Sequence, residues 1–504
     1  MKRLFFFICA LVLLCSPLSF AAVEWDGTSA PWTKGTGTET DPYLIETPQH
    51  LSYLSEMVSA GINTYKGKYF KQTQDFDMKS LVFTPIGISE KYPLEGNYNG
   101  NNKFLSNINI SGNVSAYIAV FGYVVGSSIE SVIVKGSFSC STAKVITAGL
   151  VAYGKSVQMS HCINMADINI GSASAAGIVN TLEGNSSLTD CSNMGKITAV
   201  SYPVSSYTTL ASSSAGGIVS YNKDTCSIIR CYNVGVISTT TKFYASSSRD
   251  AKCYSYAGGI VGHNNGRCSV LKCFNKGSIY STSDLSPSTL TSHAYSGGIV
   301  GFNNAETYKC FINNCYVNCT TIRATSSDIA DACGVAYKST TYNCYFVGET
   351  KYPINSWGNT NNCYFSSESN TSSGGKTKEQ LKSFSMPILL NGSETGTIWV
   401  MDTYNFNDGY PILDWQVPMP TYKITVTCNE SQGAVSGSGN YTEGTIVTLT
   451  ATPKDGYIFS GWGDGDKTNP RSVTVGTSDA TYTALFVKMR YVITVNQDCS
   501  VNVQ

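Results

Sequence analysis

The sequence predicts an all-β protein, a right-handed parallel β-helix with an N-terminal cap helix, followed by a small β-grasp-like C-terminal module. Three observations carry that expectation. A phrase of one or two small residues and a short apolar strand recurs seven times through the middle of the chain. A second phrase trails it, a cysteine two residues before an asparagine, as in Cys162-Ile163-Asn164, Cys191-Ser192-Asn193, Cys231-Tyr232-Asn233 and Cys273-Phe274-Asn275. No long amphipathic helix separates the strands, so they cannot form βαβ units and must stack on their own repeats.

Taken from the N-terminus, residues 1–22 read as a secretory signal peptide. Lys2 and Arg3 precede an apolar run from Leu4 to Leu14, and Ser19-Phe20-Ala21-Ala22 offers a small-residue cleavage site. Cleavage after Ala21 or Ala22 would place the mature chain outside the cell, secreted or on its surface. Cys15 follows Leu14 rather than a small residue, which disfavours a lipoprotein anchor. No later stretch approaches the roughly 18 apolar residues that cross a bilayer, so no transmembrane segment is expected.

The β-helix is assigned to 23–416. Within it, Thr47–Ser59 carries Leu51, Leu54, Met57 and Val58 at helical spacing, with Thr47 as N-cap and Pro48 at the first helical position; this is the cap helix. The repeated phrase follows at Phe121-Gly122-Tyr123-Val124, Ala148-Gly149-Leu150-Val151, Ala176-Gly177-Ile178-Val179, Gly216-Gly217-Ile218-Val219, Gly258-Gly259-Ile260-Val261 and Gly297-Gly298-Ile299-Val300, closing on a degenerate Cys333-Gly334-Val335-Ala336. Its anchor glycines stand 27, 28, 40, 42, 39 and 36 residues apart. The extra length lies in the Ser/Thr/Tyr-rich segments Thr198–Ser214, Ser238–Tyr256 and Tyr280–Ser296, expected to be enlarged loops on one edge. Each repeat reads as three short strands. Stacked ~4.8 Å apart, they would line up Ile218, Ile260 and Ile299 inside, with glycine serving a backbone conformation closed to residues with a Cβ. The asparagines after the cysteines are placed to hydrogen-bond from rung to rung.

Two cysteine ladders emerge. One comprises Cys162, Cys191, Cys231, Cys273, Cys315, Cys344 and Cys363; the other, five residues upstream, comprises Cys226, Cys268 and Cys310. Equivalent positions on adjacent rungs lie within disulfide reach, and export permits oxidation. The alternative, which parallel stacking favours, is a buried column of free thiols acting as small hydrophobes. The spacing is a repeat period rather than paired C-x-x-C knuckles, so zinc is disfavoured.

Composition narrows the function. Lys+Arg and Asp+Glu balance at 34 each and only 13% of residues are charged, which leaves no basic field for nucleic acid. Catalysis on a β-helix calls for clustered carboxylates, or a carboxylate with Arg or Lys in a groove. Asp167, Asp190, Asp224 and Asp250 do not recur at one repeat position, and His161, His263 and His293 occupy unrelated ones. No catalytic, cofactor-binding or metal residue is assigned, no cofactor is expected, and the chain is read as a non-enzyme. Three or more charged side chains converging in one groove would count for an enzyme.

Past the Pro-containing linker Val417–Pro420, alternation in Tyr422–Val426, Thr445–Ala451 and Tyr482–Val487 marks a separate β-rich module over 421–487, with Phe459 and Trp462 as its core. Asp464-Gly465-Asp466 lacks the ligand series of a calcium loop and reads as a turn. Tyr491-Val492-Ile493-Thr494-Val495 echoes the module's first strand, so 488–504 would start a second, truncated copy.

The Gly-Gly-Ile-Val phrases resemble the GLUG motif of secreted and surface proteins of Bacteroidetes type. Gly35–Ile45, Phe83-Thr84-Pro85-Ile86-Gly87, Leu94–Ile108 and the closing Asn407–Leu413 extend the resemblance over about 24–415. Segment 421–487 resembles a divergent B-repeat of the internalin type. Both resemblances imply adhesion or surface display, with no catalytic residues to carry over, and no H-E-x-x-H is present. The expected protein is an exported monomer that binds host or dietary glycans or matrix proteins through its Tyr-rich inserts. A polysaccharide-degrading enzyme of pectin-lyase-like shape and a passive stalk are the alternatives.

Overall fold

The computed structural model describes residues 21–110, 116–140, 145–171, 173–202, 210–244, 252–286, 291–304, 310–367, 373–418, 420–490, 493–495 and 501–503. The signal-peptide reading rests on residues 1–20, and Asp250 is a single position; both lie outside the described residues. Two compact units meet in the chain at Asp414 and Trp415.

The first unit is a parallel β-helix. One turn shows its plan: Val219–Asn222 in sheet I, Cys226–Ile229 in sheet II, Tyr232–Asn233 and Ile237–Tyr244 in sheet III, and Lys252–Gly258 in sheet IV. A turn therefore holds five strands, not three, because pieces as short as Tyr232–Asn233 leave no alternation to read. Strands of successive turns pair in parallel and in register. Sheet II runs through eleven strands from Tyr43–Ile45 to Thr360–Asn361, so the solenoid extends beyond the seven repeats visible in the sequence. The first repeat is also shifted. Val151 pairs with Phe121, which puts Ala119 rather than Gly122 at the position of Gly149.

One apolar core runs from Trp25 to Ile354, with Ile178, Ile218, Ile260 and Ile299 fully buried. At its N-terminal end lies the helix Pro48–Ser59, capped by the Thr47 hydroxyl accepting from the His50 N–H; Leu51, Leu54 and Val58 join the core and Met57 packs at its margin. The anchor glycines are required by close approach rather than by φ. A Cβ on Gly217 would stand 2.1 Å from the Gly259 carbonyl oxygen, and one on Gly259 2.1 Å from that of Gly298, while neither residue has a positive φ. Positive φ recurs instead at the non-glycine just before each ladder cysteine, His161, Asp190, Arg230, Lys272, Asn314, Asn343 and Asn362, and at Ser131 before Val132.

The asparagine ladder is present as expected. Asn164, Asn193 and Asn233 each donate from Nδ2 to Oδ1 of the next asparagine at 2.7 Å, ending on Asn275, and each also donates to the carbonyl two residues on. A second ladder, Asn222 to Asn264 to Asn303, repeats the arrangement at 2.7 Å where sheet I ends. The described cysteines are free thiols. After the last rung, the chain runs back over the outer face of sheet III. Trp399 there packs against the column Tyr316 and Tyr345, its Nε1 donating to Asn314, and the Tyr345 hydroxyl donates to the Pro411 carbonyl and accepts from Asn407 Nδ2.

The Ser/Thr/Tyr-rich inserts correct an expectation: they are strands over most of their length. Ile237–Tyr244 pairs with Ile279–Ser286, and Lys252–Gly258 with Thr291–Gly297, so sheets III and IV project past the core as a two-layered fin. Ala211, Phe243, Cys253 and Leu285 fill it. Nearer the core its hydroxyls pair inward, Ser213 with Thr241 at 2.6 Å, Thr239 with Ser255 at 2.6 Å and Ser281 with Ser296 at 2.8 Å. Buried hydroxyls satisfied by each other cost little, so a polar segment stays as sheet.

The second unit holds seven strands over 421–488 in two sheets, with Thr421–Cys428 parallel to Ala480–Lys488 and the other pairings antiparallel. Trp462 is buried with Ile424, Leu449 and Phe486, while Phe459 is only half-buried against them. Beyond it, Ile493–Val495 pairs antiparallel with Val501–Val503. Among the described residues no helix is long and apolar enough to cross a membrane.

Candidate functional site

Sheets IV and I meet at the paired glycines, and their outer faces touch each other across the bend. That contact makes the corner re-entrant, an elbow running along the helix axis. On the sheet IV side, Tyr256 registers with Tyr295 and Tyr254 with His293. On the sheet I side, Tyr221, His263 and Phe302 stand on successive rungs. Across the bend Tyr256 meets His263 at 4.5 Å between ring centroids, Tyr295 meets Phe302 at 4.8 Å, and Tyr295 meets Tyr337 at 4.6 Å. Tyr256, Tyr295 and Tyr337 form the buried base of this cluster, and Tyr254, Tyr221, His263 and Phe302 its partly buried outer layer.

Burial among the rings pulls His263 down to about 4, so it is neutral near pH 7 and acts as one more ring. His293 is held by two partners, the Tyr295 hydroxyl at Nδ1, 3.0 Å, and Asp328 at Nε2, 3.2 Å. Burial, then the neighbouring Tyr337, raises the Tyr295 phenol well above its usual range, which makes it a neutral donor and not a nucleophile.

Toward the N-terminus the elbow is lined by small polar groups. Ser214 and Ser220 exchange hydroxyl-to-carbonyl bonds at 2.9 and 3.0 Å, and Asn180 reaches Ser174. Beyond them Tyr123 stacks on Tyr153 at 4.6 Å. There the Tyr153 hydroxyl donates to Glu183 and accepts from Lys223 at 2.9 Å, while Lys155 lies 3.2 Å and Lys223 3.7 Å from the Glu183 carboxylate.

Three charged side chains, Glu183, Lys155 and Lys223, therefore do converge, the feature that would count for an enzyme. The Tyr153 hydrogen bond, helped by Lys155, holds Glu183 below the usual carboxylate range, and burial and Glu183 push the Tyr153 phenol up. Neither group is poised near neutral pH, and Glu90 is a second carboxylate whose charge acts on Tyr123 and Tyr153.

The remaining candidate residues are dispersed. Asp190 takes a two-pronged ion pair from Arg230 at 2.6 Å on both oxygens, with His161 at 3.7 Å, on the left-handed corner between sheets II and III. Asp167 accepts from the Lys196 N–H and Asp224 from the Gly184 N–H, as turn carboxylates do. Asp464 and Asp466 are both engaged by Arg471, at 2.7 to 3.2 Å, which leaves a turn rather than a cation loop. No group of three or more metal-ligating side chains occurs among the described residues.

The elbow itself was missed in the sequence, and two of the histidines read there as unrelated belong to it. The signal was available: aromatic or His residues two and four positions before the paired glycines (Tyr254 and Tyr256, His293 and Tyr295), and again four after the second glycine (Tyr221, His263, Phe302).

Residues 422–490 match the family model of the divergent InlB B-repeat domain. No curated protein matches the chain. Among solved structures, a Bacteroides ovatus protein provisionally described as an immunoglobulin A1 protease is 16% identical with a TM-score of 0.36, over 76% of this chain and 95% of its own. A likeness of that size says nothing about activity.

Proposed function

We propose that the protein is exported, stands at the cell surface or is released, and works as a monomer by binding and not by catalysis, with the elbow as its ligand face. The observation that carries this reading is the pair of aromatic rows facing each other across the bend between sheets IV and I. Rings of this kind offer flat apolar area with polar edges, and here they stand on strands rather than on loops, so little ordering is required on binding. Glycans and extended segments of matrix proteins are the ligands such a face suits. The recurring Gly-Gly-Ile-Val rungs support assignment of the helix to the GLUG type, and the B-repeat match supports surface display. The engagement of Glu183 by Tyr153 and Lys155 favours the non-enzymatic reading, while the convergence of Glu183, Lys155 and Lys223 keeps the enzyme as the alternative.

The test is an array of host and dietary glycans and matrix proteins probed with the chain from Val23, with release of new reducing ends or unsaturated sugars measured on every bound glycan. Retention without turnover is expected. Turnover would overturn the reading in favour of a polysaccharide-degrading enzyme, and neither retention nor turnover in favour of a stalk.

A further inference from the structure

The two cysteine columns differ in what their thiols donate to. In the long column neighbouring sulfurs also face one another, but the thiols have backbone to donate to: Cys191, Cys231, Cys273 and Cys315 reach the carbonyl two residues earlier at 3.3 to 3.5 Å, and their own N–H groups donate to the sulfur of the next rung at 3.3 to 3.4 Å. In the short column the Cys226 thiol points straight at the Cys268 sulfur, 3.2 Å away. Both residues sit inside strands that pair in register, Cys226 opposite Cys268, and both are buried. In-register parallel neighbours lie ~4.8 Å apart, within the Cα separation that a disulfide spans. Cys310, the third member, is buried on the next rung with its sulfur also against Cys268, but it lies before its strand Phe311–Asn313 rather than within a strand in register with Cys268.

We infer that Cys226 and Cys268 form an inter-rung disulfide in the exported protein, leaving Cys310 and the long column as thiols. The inference rests on the export reading only for its oxidant. The reaction is thiol–disulfide exchange with a small-molecule or protein disulfide. One thiolate attacks that disulfide, the second attacks the mixed disulfide, and the two cysteines together give up two electrons and two protons, leaving the oxidant as two thiols. Because both sulfurs are buried in the finished helix, exchange takes place as these rungs close, and the completed bond is then shielded from reductants. It would tie two adjacent rungs of sheet II, closing the loop that contains Lys252–Gly258.

The experiment is refolding of the reduced full chain in a glutathione/glutathione disulfide buffer, then alkylation and peptide mapping without reduction. A Cys226–Cys268 linked peptide with the long-column cysteines alkylated is expected, together with the loss of two titratable thiols. Complete alkylation, a Cys268–Cys310 link, or links within the long column would overturn it. Cys226→Ser should remove the link and restore one thiol to the count of the bridged chain's reduced partner, Cys268; a bridge that persists in this variant also overturns the assignment. A bridge in the refolded chain but free thiols in protein recovered from its host would count against export and leave the pair standing.

Discussion

The interior of the helix and the outer face of the elbow obey different rules. Inside, one residue type is repeated from rung to rung: Cys191, Cys231, Cys273 and Cys315 in one column, Asn193, Asn233 and Asn275 in another. Each side chain touches its own equivalent above and below, so the shape that fits one neighbour fits both. On the elbow the identity changes along much of a row, from Tyr153 to Thr181 to Tyr221 to His263 to Phe302. Stacking does not demand that variation. The comparison teaches that repetition marks what holds the solenoid together, and departure from it marks where a particular ligand can be read.

Substitutions inside should therefore cost stability and leave recognition alone, and those on the elbow should do the reverse. The largest loss is expected for Gly259→Ala, whose new Cβ would stand 2.1 Å from a backbone oxygen that cannot move without shifting the next rung. Destabilisation of more than about 3 kcal/mol is expected from such overpacking, read as a lowered denaturant midpoint or failure to fold. Asn233→Ala removes two donated bonds and the one accepted from Asn193, breaking the buried amide ladder on both sides. A loss of about 2–4 kcal/mol is expected, with ligand retention unchanged in the folded fraction.

The pH dependence follows from His263. Its folded value is about 4 against an ordinary 6.5, so between those values the unfolded chain carries a proton that the folded chain does not. The His263 contribution is fully present above about pH 6.5, declines as pH falls toward 4 and then flattens. His263→Phe, which copies the next rung, should reduce the slope of stability between pH 4 and 6.5 in a denaturant titration; an unchanged slope would count against a neutral ring packed in the elbow. The smallest stability effect belongs to Tyr254→Ser and Tyr221→Ser, partly buried rings whose loss should cost about 1 kcal/mol or less while weakening ligand retention.

The parts of this molecule legible in its sequence are those that repeat. Gly-Gly-Ile-Val and Cys-x-Asn announced the parallel helix, its inner columns and the asparagine ladder, and Thr47-Pro48 announced the helix Pro48–Ser59. Phe121-Gly122-Tyr123-Val124 imitated the phrase three residues out of register, which only strand pairing could expose. The rungs before residue 110 were invisible because they repeat the geometry without the words. The fin read as loop because Ser213, Thr241 and Ser255 look solvent-seeking until their hydroxyls are seen to face one another. The elbow needs residues some forty positions apart and on two different sheets, such as Tyr221, Tyr256 and His263, to be placed side by side, and only strand pairing joins them.

The central claim is that the elbow, and not the solenoid's surface in general, is where a ligand binds. The most direct measurement compares binding of an array-identified ligand by the unaltered chain, by Tyr221→Ser/Tyr254→Ser, and by Gln158→Ala/Ser227→Ala on the outer face of sheet II. The elbow pair should weaken Kd by about tenfold or more, while the sheet II pair leaves it unchanged and all three chains unfold at similar denaturant concentrations. Equal affinity in the elbow variant would contradict the claim.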